Sequence, residues 1–507
     1  MHNTTQESGS LTGRISKSPS ELMHELILQP QFDYEMKHLL PFYIWIEKAM
    51  LLEYRRMGLI KQAEVEEIAN VLSQINIESL LAKREYNMSD IAFAIEKWVE
   101  KHTEKLPVAW HLDRSRNDFQ ATAQLMFGRQ CLMNTIKQML ELVETLHCVA
   151  DRYMDTPMPG YTHYQSAQVI TPGFYMLAIA ENVLAAVERM QFLYAGINRS
   201  PLGSGAMAGQ ELNWNREELA VQLGFDAPVR HALLGVASRD WTLQIGAELS
   251  SFSVMLSRFM TDLICWGSSE YGFIELPDEL SGISSSMPQK KNFPILERLR
   301  AKTAHVSAFY TDFVMAQRST AYTNLVETSK EAGSHFATQY QTMNDVLVLL
   351  DHVLQHVVFK EQSMLDACKK EYLGGFTMAN LLTLEYGVPT RQAQVMAGRY
   401  IMERIEHKKL PDDIAEEVLI TIGEQAGYDL TGCRTLLQKA FDIEQNLQMK
   451  CSDGGTSPQS MRRLLGQQRE QLKLLIVTYQ QYGSQLQQAN EQTTINLYKL
   501  YNKATTS

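Results

Sequence analysis

Six apolar residues recur at alternating spacings of four and three between positions 132 and 150: Leu132, Ile136, Met139, Val143, Leu146 and Ala150. The same rhythm returns with Ile245, Leu249, Phe252, Leu256, Phe259 and Leu263. On an α-helix such residues form a narrow stripe, stable only when another helix covers it. The stripes therefore indicate packing, not a cofactor box. The stretches 172–192, 295–318 and 333–359 are also long, apolar-rich and nearly free of internal glycine or proline. No run of alternating, turn-bounded residues announces a substantial sheet. The expected fold class is all-α, built on a bundle of long helices.

Three regions are expected along the 507 residues. Residues 1–112 hold a polar lead and shorter helices. Residues 113–362 hold the long central helices, interrupted by Gly/Pro/Ser loops at 157–173, 200–210 and 278–294. Residues 363–507 are helical with shorter elements, punctuated at Gly387-Val388-Pro389 and at Gly454-Gly455-Thr456-Ser457-Pro458. The tail from about 486 is polar and is expected to fray. The net charge of -11 argues against a nucleic-acid footprint and leaves small molecules as the expected partners. The six cysteines lack CxxC or metal-ligand spacing, which reads as reduced core thiols of a cytoplasmic protein with no metal. The first twenty residues have no apolar segment of the signal-peptide kind. No apolar run approaches the roughly 20 residues that span a membrane.

Chemistry concentrates in a few loops. Ser284-Ser285-Ser286-Met287-Pro288-Gln289-Lys290-Lys291-Asn292 places three hydroxyls, two ammoniums and an amide in nine positions, with Gly282 just upstream. Pro288 makes this a poor helix interior, so it reads as a flexible loop rich in anion-binding groups. His111-Leu112-Asp113-Arg114-Ser115-Arg116-Asn117-Asp118 sets two arginines beside a serine and an asparagine. Guanidinium groups grip carboxylates bidentately, so this is either a carboxylate receptor or a solvated helix start capped by Ser115 or Asn117. In Gly160-Tyr161-Thr162-His163-Tyr164-Gln165-Ser166-Ala167-Gln168, an imidazole, a side chain suited to proton transfer, stands beside Thr162 in a glycine-led loop.

The first loop resembles the GSSxMPxKxN signature of the fumarase/aspartase superfamily, whose members eliminate fumarate from succinyl compounds. The second is similar to the SRND segment of argininosuccinate lyases, and the third to their GYTHxQxAQ stretch. Pro201-Leu202-Gly203-Ser204-Gly205-Ala206-Met207-Ala208-Gly209 resembles their PLGSGALAG, where small residues serve close backbone packing. The 387–391 and 454–458 stretches resemble that family as well. The likeness runs from about 111 to 465 and marks a divergent member of the argininosuccinate lyase family.

That resemblance implies a fumarase/aspartase-like, mostly helical homotetramer whose active sites draw loops from several subunits, with no cofactor. It implies Ser284 as general base, His163 as a candidate general acid and Lys290 as the cation on the developing charge. It implies substrate contacts from Ser115, Arg116, Asn117, Thr162, Gln168, Ser285, Met287, Asn292 and Tyr322. The reaction removes a weakly acidic proton beside a carboxylate, so the aci-carboxylate dianion must be held by cations and directed donors. A serine hydroxyl acts as base only when a nearby cation and loop amides favour its ionisation. Closure of loop 280–294 over substrate, hinged in part at Gly282, would expel water.

The departures from the family are also informative. Ile283 stands where the family has glycine, and Phe293 where it has proline. The segment 41–48 lacks the family's histidine and serine, and the SDRD-like segment reads Ala237-Ser238-Arg239-Asp240. After Tyr322, the glutamine that reads a guanidine end is replaced by Val326, allowing a one-residue deletion. One lost hydrogen bond to a charged partner costs roughly 1.5–3 kcal/mol. The expected activity is reversible elimination of fumarate from an N-succinyl amine or guanidine compound by general-base proton abstraction, with an amine other than arginine favoured. Argininosuccinate itself and an inactive structural homologue are the alternatives.

Overall fold

Both stripes are buried on long helices. The computed structural model describes residues 17–84 and 90–499. The signal-peptide reading of the first twenty residues falls, up to residue 16, outside the described residues. The central helices are α1 (Leu40–Arg56), α2 (Arg116–Arg152), α3 (Pro172–Ile197), α4 (Asp240–Trp266), α5 (Pro294–Gln317), α6 (Phe336–His356) and α7 (Pro458–Tyr498). Stripe residues Ile136, Met139, Val143, Leu146 and Ala150 of α2 and Leu256 and Leu263 of α4 have no exposed surface. Each buried aliphatic side chain of that kind contributes about 1.5–3 kcal/mol. The helices pack α4 on α5, α2 on α3 and α6, and α7 on α3. Gly128 lets α2 approach the start of α4: a Cβ there would lie 2.3 Å from the Trp241 ring.

Local chemistry fixes the helix starts. Ser115 caps α2 by accepting from Asn117 N at 3.2 Å, Thr171 caps α3 by accepting from Phe174 N at 2.9 Å, and Ser457 caps α7. Pro172, Pro294 and Pro458 occupy first turns, where no amide donor is needed. Gly387 adopts the left-handed conformation that stops the helix Gly375–Tyr386. Strands among the described residues form only two-stranded ribbons.

Residues of the C-terminal region form a second core around Leu382, Tyr400, Leu419 and Leu437. Met461, Leu465, Leu472 and Leu475 of α7 return to the main core. The expectation that the tail frays from 486 is corrected here. The helix continues to Tyr498, Leu497 is fully buried, and Thr493 Oγ1 donates to Gln222 O at 2.8 Å. Residues 500–507 lie outside the described residues.

The expectation of six core thiols holds for Cys131, Cys368 and Cys433, which are buried. Cys148 and Cys451 are exposed and Cys265 is half-buried. Cys148 falls between stripe positions 146 and 150 and so faces outward; Cys451 sits in the turn before α7. All six are unpaired.

Candidate active site

The motif residues gather at opposite ends of α2. At its N-terminus the 111–118 segment is a knotted turn, with His111 and Asp113 at φ 68° and 57°. Asp113 Oδ2 accepts from Leu212 N at 2.8 Å and from Trp214 Nε1 at 2.9 Å. Tyr54 donates its hydroxyl to Leu112 O at 2.7 Å. Arg114, read from the sequence as half of a carboxylate receptor, is instead consumed internally: it grips the fully buried Glu47 bidentately at 2.7 and 2.8 Å. Glu47 lies in the helix stretch that lacks the family histidine and serine. Arg116 remains on the surface, 3.9 Å from Asp90 and stacked on the Phe93 ring at 4.4 Å. Ser115 is the cap, as the helix-start reading expects.

The glycine loop 201–209 seats on this end through Asp118. Its carboxylate accepts from Gly203 N at 2.9 Å and Gly205 N at 3.0 Å, and burial pushes its pKa up to about 7. A Cβ on Gly205 would lie 2.2 Å from Gly209 O, so the small residues do serve close packing. Asn117 Nδ2 donates to Ala206 O at 3.0 Å, which fixes its amide beside the loop. Tyr322 and Val326 lie on the connection between α5 and α6, and both are exposed. Burial and then Asp240, at the start of α4, hold the Tyr322 phenol above its ordinary pKa.

The other end of α2 carries the remaining residues. Strands β1 (Met158–Thr162) and β2 (Gln165–Ile170) make an antiparallel hairpin that pairs Thr162 with Gln165 and Gly160 with Gln168. His163 and Tyr164 form its two-residue turn, both left-handed at φ 53° and 61°. A left-handed histidine is a strained conformation of the kind kept at functional sites. Thr162 and His163 are exposed at the tip. The hairpin is anchored by Tyr161 edge-on to Tyr271 at 5.4 Å and by Val169 packing with Cys368 and Leu447.

The serine loop connects α4 to α5 at this same end. Strands β3 (Gly282–Ile283) and β4 (Lys291–Asn292) close its neck. Ser284 Oγ accepts from Met287 N at 3.2 Å, and Asn292 Nδ2 donates to Ile283 O at 3.4 Å. The two lysines divide the work. Lys291 Nζ is tied to Glu275 and Asp278, each at 2.9 Å, and to Leu276 O at 2.6 Å. Lys290 is exposed and has no ion-pair partner among the described residues. Ser285 and Met287 are exposed on the loop crest. Ile283 fits because the position is an extended strand residue whose side chain is 92% exposed. At Gly282 a Cβ would meet Pro294 at 2.9 Å.

The fold thus brings Ser115, Arg116, Asn117 and Tyr322 to one end, and Thr162, His163, Gln168, Ser284, Ser285, Met287, Lys290 and Asn292 to the other. With 37 residues at about 1.5 Å each, α2 is about 55 Å long, and the two groups lie toward its opposite ends. Among the described residues no hydrogen bond or ion pair joins the His163 turn to the serine loop.

A cavity of about 500 Å³ adjoins the Tyr322 connection, and sequence reasoning missed two residues in it. Lys330 Nζ pairs with Glu35 at 2.6 Å, joining residues 295 apart. No local pattern marked either of them. Among the described residues no group of three or more His, Cys, Asp or Glu is placed to hold a metal ion. None of their helices is long and apolar enough to cross a membrane.

Residues 56–307 match the model of a family described as a lyase. The chain is 32% identical over 455 residues to an argininosuccinate lyase of Campylobacter hominis, covering 89% of this chain and 96% of that one. The chain belongs to the argininosuccinate lyase family. As a member it is a carbon–nitrogen lyase, and at such identity a divergent one. It is 29% identical over 494 residues to argininosuccinate lyase 1 of Shouchella clausii, covering 97% of this chain and 98% of that one. A crystal structure of EDDS lyase in complex with formate superposes with a TM-score of 0.82 at 22% identity, over 96% of this chain and 97% of that one. That likeness establishes the fumarase/aspartase-like fold.

Proposed function

We propose that this argininosuccinate lyase family member releases fumarate reversibly from an N-succinyl amine, in a site assembled from more than one copy of the chain. Ser284 takes the proton from the carbon adjacent to the C–N carbon. The electron pair left behind is delocalised into the neighbouring carboxylate and held by Lys290, Asn292, Asn117 and Thr162. That pair then forms the double bond of fumarate as the C–N bond breaks, and the departing nitrogen takes a proton, with His163 as the candidate donor. Ser115, Arg116, Gln168, Ser285, Met287 and Tyr322 line the substrate. The Met287 amide already donates to Ser284 Oγ, which favours the alkoxide.

One observation carries the assembly. The proposed site residues fall toward opposite ends of α2, a helix about 55 Å long, which supports a site closed by a second copy of the chain. Phe192 on α3, Val254 on α4 and Met315 on α5 are large apolar side chains left exposed, as an uncovered bundle face would be. A homotetramer with shared sites is the proposed form. The partition 1–112, 113–362 and 363–507 is proposed with it, the last region lending α7 to the central core. Six unpaired cysteines support a cytoplasmic location.

Val326, exposed where the family has glutamine, supports an amine other than arginine. The test is to mix protein with fumarate and a panel of amines and follow fumarate absorbance. Consumption with arginine alone restores argininosuccinate as the substrate. No consumption with any amine would favour the inactive structural homologue.

A further inference from the structure

The cavity beside the Tyr322 connection is lined by two carboxylates, the buried Glu35 and the exposed Glu331, and by two cations, Lys330 and Arg239, of which the buried Arg239 has no ion-pair partner among the described residues. Glu35 and Lys330 satisfy one another, and Glu35 also accepts from Ile91 N at 3.0 Å. Arg239, which also lines the cavity, is 3% exposed. It donates to Gln124 Oε1 at 2.8 Å, Ser238 O at 2.9 Å and Val236 O at 3.1 Å. Its Nη2 is buried without a hydrogen-bond partner, and no carboxylate among the described residues lies within ion-pair distance. A buried guanidinium with an open donor and no counter-ion is costly unless a ligand supplies the anion. Burial lowers its pKa only to about 10, which leaves it charged at neutral pH.

Beside the polar Gln31, Thr242, Thr328 and Ser334, part of the remaining lining is aromatic. Tyr34, Phe127, Trp241 and Phe336 present aromatic surface in a volume that suits a small organic group. The cavity lies toward the Asn117 end of α2, which lends it Gln124. Asn117 and Gln124 are seven residues apart on α2, about 10 Å along one face. Gln124 Nε2 donates to Ser329 O at 2.7 Å, on the connection that carries Tyr322 and Val326.

We propose that the amine half of the substrate is an α-amino acid with an apolar or aromatic side chain. Its carboxylate pairs with Arg239 and its side chain fills the aromatic part of the cavity. This rests on the lyase reading above and names the amine class that reading leaves open.

The test follows fumarate consumption by the full-length protein with L-phenylalanine and L-leucine, their decarboxylated counterparts phenethylamine and isopentylamine, and L-arginine. The expected result is a kcat/KM for one of the two amino acids at least about tenfold above its decarboxylated counterpart and above arginine. Arg239→Gln should raise the KM of that amino acid about tenfold and leave the KM of fumarate within about twofold. Equal use of the decarboxylated amines, or a preference for arginine, overturns the proposal and leaves the lyase reading standing. A rise in the fumarate KM instead would place the succinyl carboxylate on Arg239 and also overturns it. If no amine is consumed, the lyase reading falls and this proposal with it. The comparison among amines uses the parent protein, so it decides the matter even if the variant fails to fold.

Discussion

Glu47 and Arg114, 67 residues apart, form a bidentate ion pair in which the carboxylate is fully buried. The pair ties α1 to the turn that presents Ser115, Arg116 and Asn117. Removing one partner strands the other charge away from water. Glu47→Gln is expected to lower the unfolding free energy by about 3–5 kcal/mol. Denaturant unfolding of the two proteins measures this, and an unchanged midpoint would show the pair to be dispensable.

Asp118 makes the fold sensitive to pH. Its pKa is pushed up to about 7 by burial, against about 3.9 for a free carboxyl. The folded state therefore binds more protons than the unfolded one between those values, and stability falls as pH rises through that window. Asp118→Asn keeps an oxygen to accept from Gly203 and Gly205 but cannot ionise. Between pH 4 and 7 the parent should lose stability relative to this variant, by up to about 1.4 kcal/mol per pH unit. Parallel melting curves would refute the shift.

Ser284→Ala should leave the fold intact, since among the described residues the hydroxyl bonds the Met287 amide alone, on an exposed loop. Loss of a general base typically costs about 10²–10⁴-fold in rate. Turnover equal to the parent would remove Ser284 from the mechanism.

Assembly predicts complementation. Asn117→Ala and Ser284→Ala each disable one end of α2, so each alone should be inactive. Unfolded together and refolded as a mixture, they should regain part of the activity, because some sites combine an intact Asn117 from one chain with an intact Ser284 from another. A mixture as inactive as its components, with light scattering showing mixed oligomers, would mean that each chain works alone.

How much of this was legible depended on the range of the interaction. The stripes at 132–150 and 245–263 were readable because burial repeats with the helical period, so each residue announces its neighbour's environment. Ser284, Lys290, His163 and Asn117 stood out because motif strings keep reactive groups adjacent in sequence. Arg114 was misread because its partner lies 67 residues away on an apolar helix. Glu35 and Lys330 escaped notice for the same reason, at a separation of 295. The end of α7 was misjudged because most of its residues are polar. Its anchors, Thr493 and Leu497, are too sparse to form a visible stripe.

The length of α2 has a consequence for the cell as well as for the test tube. In the proposed assembly a solitary chain holds a pair of incomplete halves, so output near its dissociation point is expected to vary more steeply than in proportion to the number of chains. Halving expression there would remove well over half of the turnover, and a variant that only weakens association would pass for a catalytic defect.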